Sequence, residues 1–278
     1  MYDPFFKEEL YEKRLKQCAE EICANKSLKL VLIAGGSCAG KTTTTKKLAS
    51  LIAEGGRPVD TISLDDYYRN PSNAVYLPNG KQDIEGLGSL RLDLLQETMH
   101  LLSQGMPASI PFFDFAAKRR IDNHRILTPV EGGITIVEGL HALNPAICAK
   151  GTDESTLYRI YLYSDAGAGT DSRFLRRLVR DSRYRAADAQ QTYDQWETVR
   201  EAEKENIEPF APLADAAINT YFDYERSILA DDAIELLKGL PAENSHTPKA
   251  KALISTLEIV PLLPDSAVPE HSLLREFI

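Results

Sequence analysis

The segment "LKLVLIAGGSCAGKT", residues 28–42, decides the fold of this chain. Residues 28–34 form an apolar run typical of a buried parallel strand, and residues 43–53 have the composition of a helix. Between them lies the spacing of a phosphate-binding P-loop, carried by Gly35, Gly40, Lys41 and Thr42. A plain glycine-rich turn is the simpler interpretation. We favour the P-loop because a strand and a helix flank the motif, as that loop requires.

A P-loop in this position predicts a nucleoside triphosphate site. Its backbone N–H groups wrap the phosphates, Lys41 reaches the β- and γ-phosphates, and the Thr42 hydroxyl ligates Mg²⁺. The N-terminus of the following helix adds the positive end of its dipole. The residues predicted to bind the triphosphate are Gly35, Gly36, Ser37, Cys38, Ala39, Gly40, Lys41, Thr42 and Thr43.

Composition limits the functions that this chain can have. Its 278 residues are 43% hydrophobic, enough for one α/β domain with small additions. A net charge of −9 argues against a protein that wraps nucleic acid with a broad basic face. A small phosphorylated ligand fits better. The sequence leaves open whether the chain is a monomer or a homo-oligomer.

The cysteines and the N-terminus predict a cytoplasmic protein. Cys18, Cys23, Cys38 and Cys148 have no metal-binding spacing, so we expect reduced structural thiols. The start, "MYDPFFKEEL", lacks the pattern of a signal peptide, and no apolar run approaches the ~18 residues of a spanning helix. We therefore expect no membrane partner.

The order of predicted elements favours an α/β fold, with a mostly parallel sheet covered by helices on both faces. The predicted strands are residues 28–34, 59–63, 133–137, 157–163 and 214–219, with a short one in 108–115. The predicted helices are residues 4–26, 43–53, 90–102, 174–183, 193–204 and 221–237. Residues 70–88 read as a loop over the site. We divide the chain into a helical leader (1–27), a P-loop domain (28–240) and a tail that folds back on it (241–278).

Two acidic residues end predicted strands, at the sheet edge where open α/β sheets bind ligands. Asp65 follows the strand 59–63, and its carboxylate can accept the proton of a substrate hydroxyl. Glu138 follows the strand 133–137 and would face the Mg²⁺ held by Thr42. A helix cap or turn carboxylate is the structural alternative for each residue.

Six arginines lie within thirteen residues of one predicted helix, 173–185. Arg173, Arg176 and Arg180 share a face at i, i+3 and i+7. A solvated basic face is the common fate of such a run. In an acidic protein it also suggests phosphate contacts, through bidentate guanidinium groups. We expect about half of the six to serve packing or local pairing instead.

Four motifs follow the P-loop in a fixed order: "ISLDDYY" (62–68), "IPFFDF" (110–115), "IVEGLHAL" (136–143) and "RFLRRLVRDSRYR" (173–185). Their order and spacing resemble those of the phosphoribulokinase/uridine kinase family. The chain from residue 30 onward is similar to the kinase portion of bacterial uridine kinase-like nucleoside kinases.

The resemblance implies a P-loop kinase with a helical lid and roles for single residues. It implies that Asp65, Lys41 and Arg176 are catalytic, that Thr42 and Glu138 hold Mg²⁺, and that Arg180 binds ATP. The residues that it assigns to the acceptor are Tyr68, Glu85, Phe113, Phe115, Lys118 and Arg173.

The acceptor residues depart from the uridine kinase pattern. Glu85 stands where the family has an Asp for the ribose hydroxyls, and Gly88 replaces the family's next Asp. Phe113 replaces a Tyr, and Lys118 stands where uridine kinases carry a His that reads the pyrimidine. The family resemblance nevertheless predicts an ATP- and Mg²⁺-dependent kinase that acts on the 5′-hydroxyl of uridine or cytidine. The alternatives are a same-fold kinase for a sugar phosphate or pantothenate-like alcohol, an ATPase switch, and a binding protein without turnover.

Overall fold

The computed structural model describes residues 3–76, 80, 83, 85–166 and 172–278. Five parallel strands form its main sheet, and two antiparallel strands form a separate hairpin. The strands are β1 (Leu30–Gly35), β2 (Val59–Ser63), β3 (Ala108–Asp114), β4 (Arg119–Leu127), β5 (Ile134–Glu138), β6 (Leu157–Tyr163) and β7 (Ala216–Asn219). The helices are α1 (Phe6–Ala24), α2 (Lys41–Glu54), α3 (Leu92–Ser103), α4 (Ser172–Arg185), α5 (Ala189–Asn206), α6 (Glu225–Lys238) and α7 (Thr247–Leu257).

The sheet has the strand order β2-β5-β1-β6-β7, with every neighbouring pair parallel. Its central strand, β1, is buried along its whole length, and successive side chains point to opposite faces. Val31 and Ile33 pack with α1, α2, α4, α6 and α7, whereas Leu30 and Leu32 pack with α3 and the hairpin. Helices thus cover both faces, and the predicted α/β fold is confirmed.

The hairpin of β3 and β4 lies beside β2, which is an edge strand of the sheet. A side chain of β4, Arg125, donates a hydrogen bond to the backbone oxygen of Thr61 in β2 at 2.7 Å. The sequence predicted β3, whereas residues 118–120 were read only as a basic run and no strand was predicted for β4. The hairpin therefore extends over the edge of the sheet next to the acidic strand ends.

The C-terminal region packs on the body of the protein, and it contains a helix, α7, that the sequence analysis did not predict. Leu273, Leu274 and Phe277 are fully buried in the same core cluster as α2, α4 and α6. Part of the predicted loop 70–88 lies outside the described residues. Among those described, no helix combines the length and the apolar character needed to cross a membrane.

Candidate active site

The P-loop connects β1 to α2 through residues 36–40. Gly40 is the residue before α2 and has φ +78°, and Cys38 has φ +58°, so the chain turns sharply twice within three residues. The Lys41 ammonium donates to the carbonyl oxygens of Gly35 and Gly36 at 3.0 and 3.1 Å. The lysine thus lies over the loop, where it can exchange these carbonyls for phosphate oxygens.

The metal-side residues lie at the ends of two strands and at the start of α2. Thr42 is exposed in the first turn of α2. Glu138 ends β5 and accepts a hydrogen bond from the Ser63 hydroxyl at 2.7 Å. Hydroxyl and carboxylate oxygens are ligands that Mg²⁺ accepts, so this donor set fits the ion. Ser63 is a site residue that the sequence analysis missed, because a serine at a strand end carries no distinctive signal.

Asp65 lies in a short 3₁₀ turn, Leu64–Tyr67, directly after β2. The turn is fixed at both ends, since the Ser63 hydroxyl accepts from the Asp65 N–H and the Asp66 carboxylate accepts from the Phe113 N–H at 3.1 Å. Asp66 thus holds the hairpin to the turn. The Asp65 side chain is accessible to solvent, so its carboxylate can meet a substrate, but the protein around it removes much of its hydration.

Three acidic side chains lie within electrostatic range of Lys41. Burial raises the pKa of Asp65, of Glu85 and of Glu138, and the Lys41 ammonium lowers the pKa of each. Asp65 in turn raises the pKa of both other carboxyl groups. Such mutual effects act over short distances only. The structure therefore brings together Lys41, Asp65, Glu85 and Glu138, which are separated by up to 97 residues in sequence.

Three aromatic rings form a wall beside Asp65. The ring centroids of Tyr68 and Phe113 are 5.8 Å apart, those of Tyr68 and Phe115 are 6.2 Å apart, and those of Phe113 and Phe115 are 4.9 Å apart. Phe113 is buried, whereas Phe115 is 60% exposed. An exposed phenyl ring next to two ordered ones provides a stacking surface for a planar ligand. These three acceptor-side predictions lie together.

Arg120 anchors the hairpin to the loop that carries Tyr68. Its guanidinium donates to the Tyr68 carbonyl oxygen at 2.8 Å and to the Asp122 carboxylate at 2.6 Å. Its backbone N–H donates to the side chain of Asn70 at 2.7 Å. The buried arginine thus fixes the aromatic wall relative to the turn of Asp65.

Glu85 and His141 meet on the far side of this cleft. The Nε2 atom of His141 lies 3.0 Å from the backbone oxygen of Glu85, and because a carbonyl can only accept, Nε2 carries the proton. Burial lowers the pKa of His141 to about 4, so the ring is neutral at pH 7. His141 therefore positions Glu85 through the backbone and serves as a hydrogen-bonded structural histidine.

Lys118 lies in the turn between β3 and β4, with φ +49°. Its side chain is exposed, and its ammonium forms no hydrogen bond or ion pair with the described residues. The turn places this cation beyond Phe115, at the tip of the hairpin.

The arginines of α4 do not all face the cleft. Arg176 is 0% exposed, and its guanidinium binds the Glu225 carboxylate, the Thr220 carbonyl and, at 3.2 Å, the Cys38 carbonyl. The expected phosphate-facing role of Arg176 does not match this position, because a buried partner on α6 holds the side chain behind the P-loop. Arg176 instead supports the loop from beneath.

Two other arginines of α4 contact the loop or its surroundings. Arg173, expected on the acceptor side, forms a two-pronged pair with Glu203 at 2.9 and 3.0 Å and approaches the Ser37 carbonyl, so these contacts lie on the P-loop side. Arg180 pairs with Asp181 at 2.6 Å. Arg177, which was not among the assigned residues, donates to the Ser37 hydroxyl at 2.8 Å.

Glu203 on α5 is a further loop contact that the sequence analysis missed. Its carboxylate accepts from the Ser37 backbone N–H at 2.7 Å and from Arg173 and Arg200. Burial acts to raise the pKa of Glu203, but Arg173 and the hydrogen bonds outweigh it and lower that pKa. A Cβ atom on Gly36 would lie 2.3 Å from Glu203 Oε1, so a larger residue there would displace the Glu203 carboxylate from the loop. A lone glutamate in a polar helix gave no sequence signal for this contact.

A family model for the phosphoribulokinase/uridine kinase family matches residues 30–225. The match covers more than half of the chain and every strand of the parallel sheet. The chain belongs to the phosphoribulokinase/uridine kinase family. It is therefore a P-loop kinase, and the predicted family is confirmed.

Individual relatives agree with this family at low identity. A uridine kinase from Deinococcus deserti is 29% identical over 187 residues, covering 67% of this chain and 84% of the relative. A uridine kinase from Staphylococcus aureus (strain Newman) is 29% identical over 194 residues, covering 69% and 88%. A solved structure described as a possible uridine kinase from Bacillus stearothermophilus has a TM-score of 0.51 at 18% identity, covering 74% of this chain and 98% of that one.

Proposed function

We propose that this protein is an ATP- and Mg²⁺-dependent kinase that transfers the γ-phosphoryl group to the 5′-hydroxyl of a nucleoside, uridine or cytidine. The observation that carries the proposal is the grouping of Lys41, Asp65 and Glu138 at one sheet edge, beside the aromatic wall of the hairpin. A hydrolase has no need for such a wall next to a carboxylate.

On the donor side, the loop amides of residues 35–40 and the Lys41 ammonium bind the phosphates. Thr42 and Glu138 would hold Mg²⁺, and Ser63 orients the Glu138 carboxylate through its 2.7 Å hydrogen bond. When bound, Mg²⁺ neutralises phosphate charge and fixes the orientation of the transferred group. We propose that Arg180 on α4 also contacts the ATP.

On the acceptor side, Asp65 accepts the proton of the attacking hydroxyl. Burial raises the pKa of Asp65, and the cations of Lys41 and Arg185 oppose that rise. They thereby favour the ionised carboxylate that a general base must be. The turn Leu64–Tyr67 keeps this carboxylate within electrostatic range of Lys41.

The acceptor itself is held by the aromatic wall and by Glu85. A nucleobase can stack on the exposed ring of Phe115, and Tyr68 and Phe113 keep that ring in place. A carboxylate can accept hydrogen bonds from both hydroxyls of a ribose, which is the role we propose for Glu85. Arg173 remains a proposed contact at the junction of the two substrates.

A kinase for another small alcohol, such as a sugar phosphate or a pantothenate-like compound, is the second candidate. One observation favours it: the exposed ammonium of Lys118 lies at the tip of the hairpin, where it could bind an anionic group of the acceptor. An ATPase switch is a weaker alternative, because its chemistry leaves the aromatic wall unexplained.

We also propose a cytoplasmic location, with ATP and the small-molecule acceptor as the binding partners. The support is that Cys18, Cys23, Cys38 and Cys148 are all free thiols in this structure.

The deciding experiment is ADP release with ATP and Mg²⁺ across a panel of nucleosides, sugar phosphates and other alcohols. We expect uridine or cytidine to give the highest rate and Asp65→Ala to lower kcat by about 10²–10⁴-fold, the usual contribution of a general base. ADP release that needs no acceptor and is unchanged in Asp65→Ala would refute the kinase. Highest turnover with a non-nucleoside would refute the nucleoside alone.

A further inference from the structure

The last eleven described residues, 268–278, form a segment that we call the C-terminal tail. It packs directly on the P-loop. The Leu273 side chain lies so close to Gly40 that a Cβ atom there would be 2.4 Å from Leu273 Cδ1. Leu273, Leu274 and Phe277 are fully buried. The tail is therefore an integral wall of the donor side of the molecule.

One tail side chain binds the first turn of α2. The Glu276 carboxylate accepts from the Thr43 hydroxyl at 2.6 Å and from the Thr43 backbone N–H at 3.3 Å. That N–H belongs to the first turn of the helix, where amides have no intrahelical acceptor. Gly40 precedes the helix and offers no side-chain cap. Glu276 thus supplies the negative charge that the helix N-terminus attracts.

The position of Glu276 is fixed by the rest of the tail. Arg275 donates to the backbone oxygen atoms of Val268 and Pro269, which closes the tail on itself. The Tyr184 hydroxyl on α4 donates to the Ile278 oxygen at 2.9 Å. The tail consequently spans from the start of α2 to α4 and holds one carboxylate between them.

Glu276 also lies within electrostatic range of the metal-side carboxylate. Glu276 is among the groups that raise the pKa of Glu138, with the smallest effect of those that act on it. An incoming triphosphate brings several more negative charges to this same place. Two anions cannot both bind one N–H group, and their charges repel each other.

We propose that the C-terminal tail is part of the donor site and that Glu276 competes with a phosphate of the donor for the amide and hydroxyl of Thr43. The inference rests on the proposed function in one respect, namely that a nucleoside triphosphate binds the P-loop. Donor binding then requires the Glu276 carboxylate to move into solvent. When the nucleotide leaves, the carboxylate returns and caps α2 again.

The test is the affinity of a non-hydrolysable ATP analogue, adenosine 5′-(β,γ-imido)triphosphate, measured by calorimetry without acceptor. The variants are Glu276→Gln, which removes the charge, and Glu276→Asp, which shortens the side chain. The matched control is Glu270→Gln, which removes one negative charge from an exposed position of the same tail. The thermal unfolding of each protein without nucleotide shows that it is folded at the temperature of the binding measurement.

Competition predicts that both Glu276 variants bind the analogue at least threefold more tightly than wild type, whereas Glu270→Gln does not. A purely structural helix cap predicts lower thermal stability and no tighter binding. A gain below threefold, weaker binding, or an equal gain in Glu270→Gln would overturn the inference. If the wild-type protein itself does not bind the analogue, the proposed function fails instead.

Discussion

Ser63 connects the two halves of the candidate site through one hydroxyl group. It donates to Glu138 on the metal side and accepts from the backbone of Asp65 on the acceptor side. Both contacts follow from the parallel pairing of β2 with β5, which places Ser63 opposite Glu138. A displacement of either strand end therefore changes both carboxylates together.

Also at the scale of single residues, the cation of Arg185 shifts the pKa of Asp65, the proposed base, without contacting the P-loop. Its cation lowers the pKa of Asp65, and its side chain is largely exposed at the end of α4. Activity that needs an ionised carboxylate falls as the pH drops through the pKa of that group. Since Arg185→Gln removes a cation that lowers this pKa, we expect the acid limb of the kcat/KM profile to move to higher pH.

The measurement is the pH profile of kcat/KM for Arg185→Gln and, as a control, Arg183→Gln. Arg183 pairs with Asp232 and Asp265 on the other side of α4, so its removal should leave the acid limb in place. The difference should shrink in 1 M salt, where charges are screened beyond ~3 Å. If the acid limb of the kcat/KM profile stays in place in Arg185→Gln, then Arg185 does not influence the ionisation of Asp65.

At the scale of single elements, α4 shows why an arginine pattern does not determine its own environment. The spacing i, i+3 and i+7 predicts that Arg173, Arg176 and Arg180 share a face, and Arg173 and Arg176 both approach carbonyl oxygens of the P-loop. It contains no information on Glu225 or Glu203, which lie 49 and 30 residues away from their partners. Whether an arginine meets a phosphate or a buried carboxylate depends on those tertiary partners.

The buried pair of Arg176 with Glu225 joins α4 to α6 and should matter for stability. Arg176→Met leaves the Glu225 carboxylate buried without its cation, which should cost about 3–5 kcal/mol of unfolding free energy. The double variant Arg176→Met/Glu225→Leu removes both charges and should recover most of the loss. Chemical denaturation measures all three proteins. Equal stability of Arg176→Met and wild type would contradict the structural role.

The contribution of the sequence was uneven between elements. The bounds of β2 and β6 were predicted to the residue, because an apolar run flanked by turn residues defines a buried strand. β4 was not predicted, because it begins with two arginines, Arg119 and Arg120, and lacks the apolar run that marks a buried strand. α7 was missed because this short helix has no clear helical repeat of polar and apolar residues. In the site, Glu203 and Ser63 could not be predicted, since their roles exist only through distant partners.

At the scale of the whole molecule, the tail and the hairpin each contain a phenylalanine, and the two differ in burial. Phe277 is fully buried in the main core, whereas Phe115 is 60% exposed beside the cleft. Phe277→Ala should lower the unfolding free energy by about 3–5 kcal/mol, the usual cost of a large core truncation. Because the tail shares its core with α2 and α4, unfolding should remain a single transition.

The matched variant is Phe115→Ala. We expect little change in its unfolding free energy, because the side chain is mostly exposed, and a higher KM for the acceptor because the stacking surface is reduced. Thermal or denaturant unfolding and steady-state kinetics test both variants. A large loss of stability in Phe115→Ala, or none in Phe277→Ala, would contradict these assignments.

The contact between Arg125 and the Thr61 carbonyl has a consequence for how this enzyme can evolve. β2 ends the sheet on one side, and an uncovered edge strand invites pairing with other chains and aggregation. The β3–β4 hairpin, which carries the proposed acceptor wall, occupies one carbonyl of this edge through Arg125. Changes at the hairpin tip, residues 115–118, can alter which acceptor fits, while changes in its stem also risk solubility. Within the hairpin, the tip is therefore the part that selection for a new acceptor can change at the lowest risk to solubility.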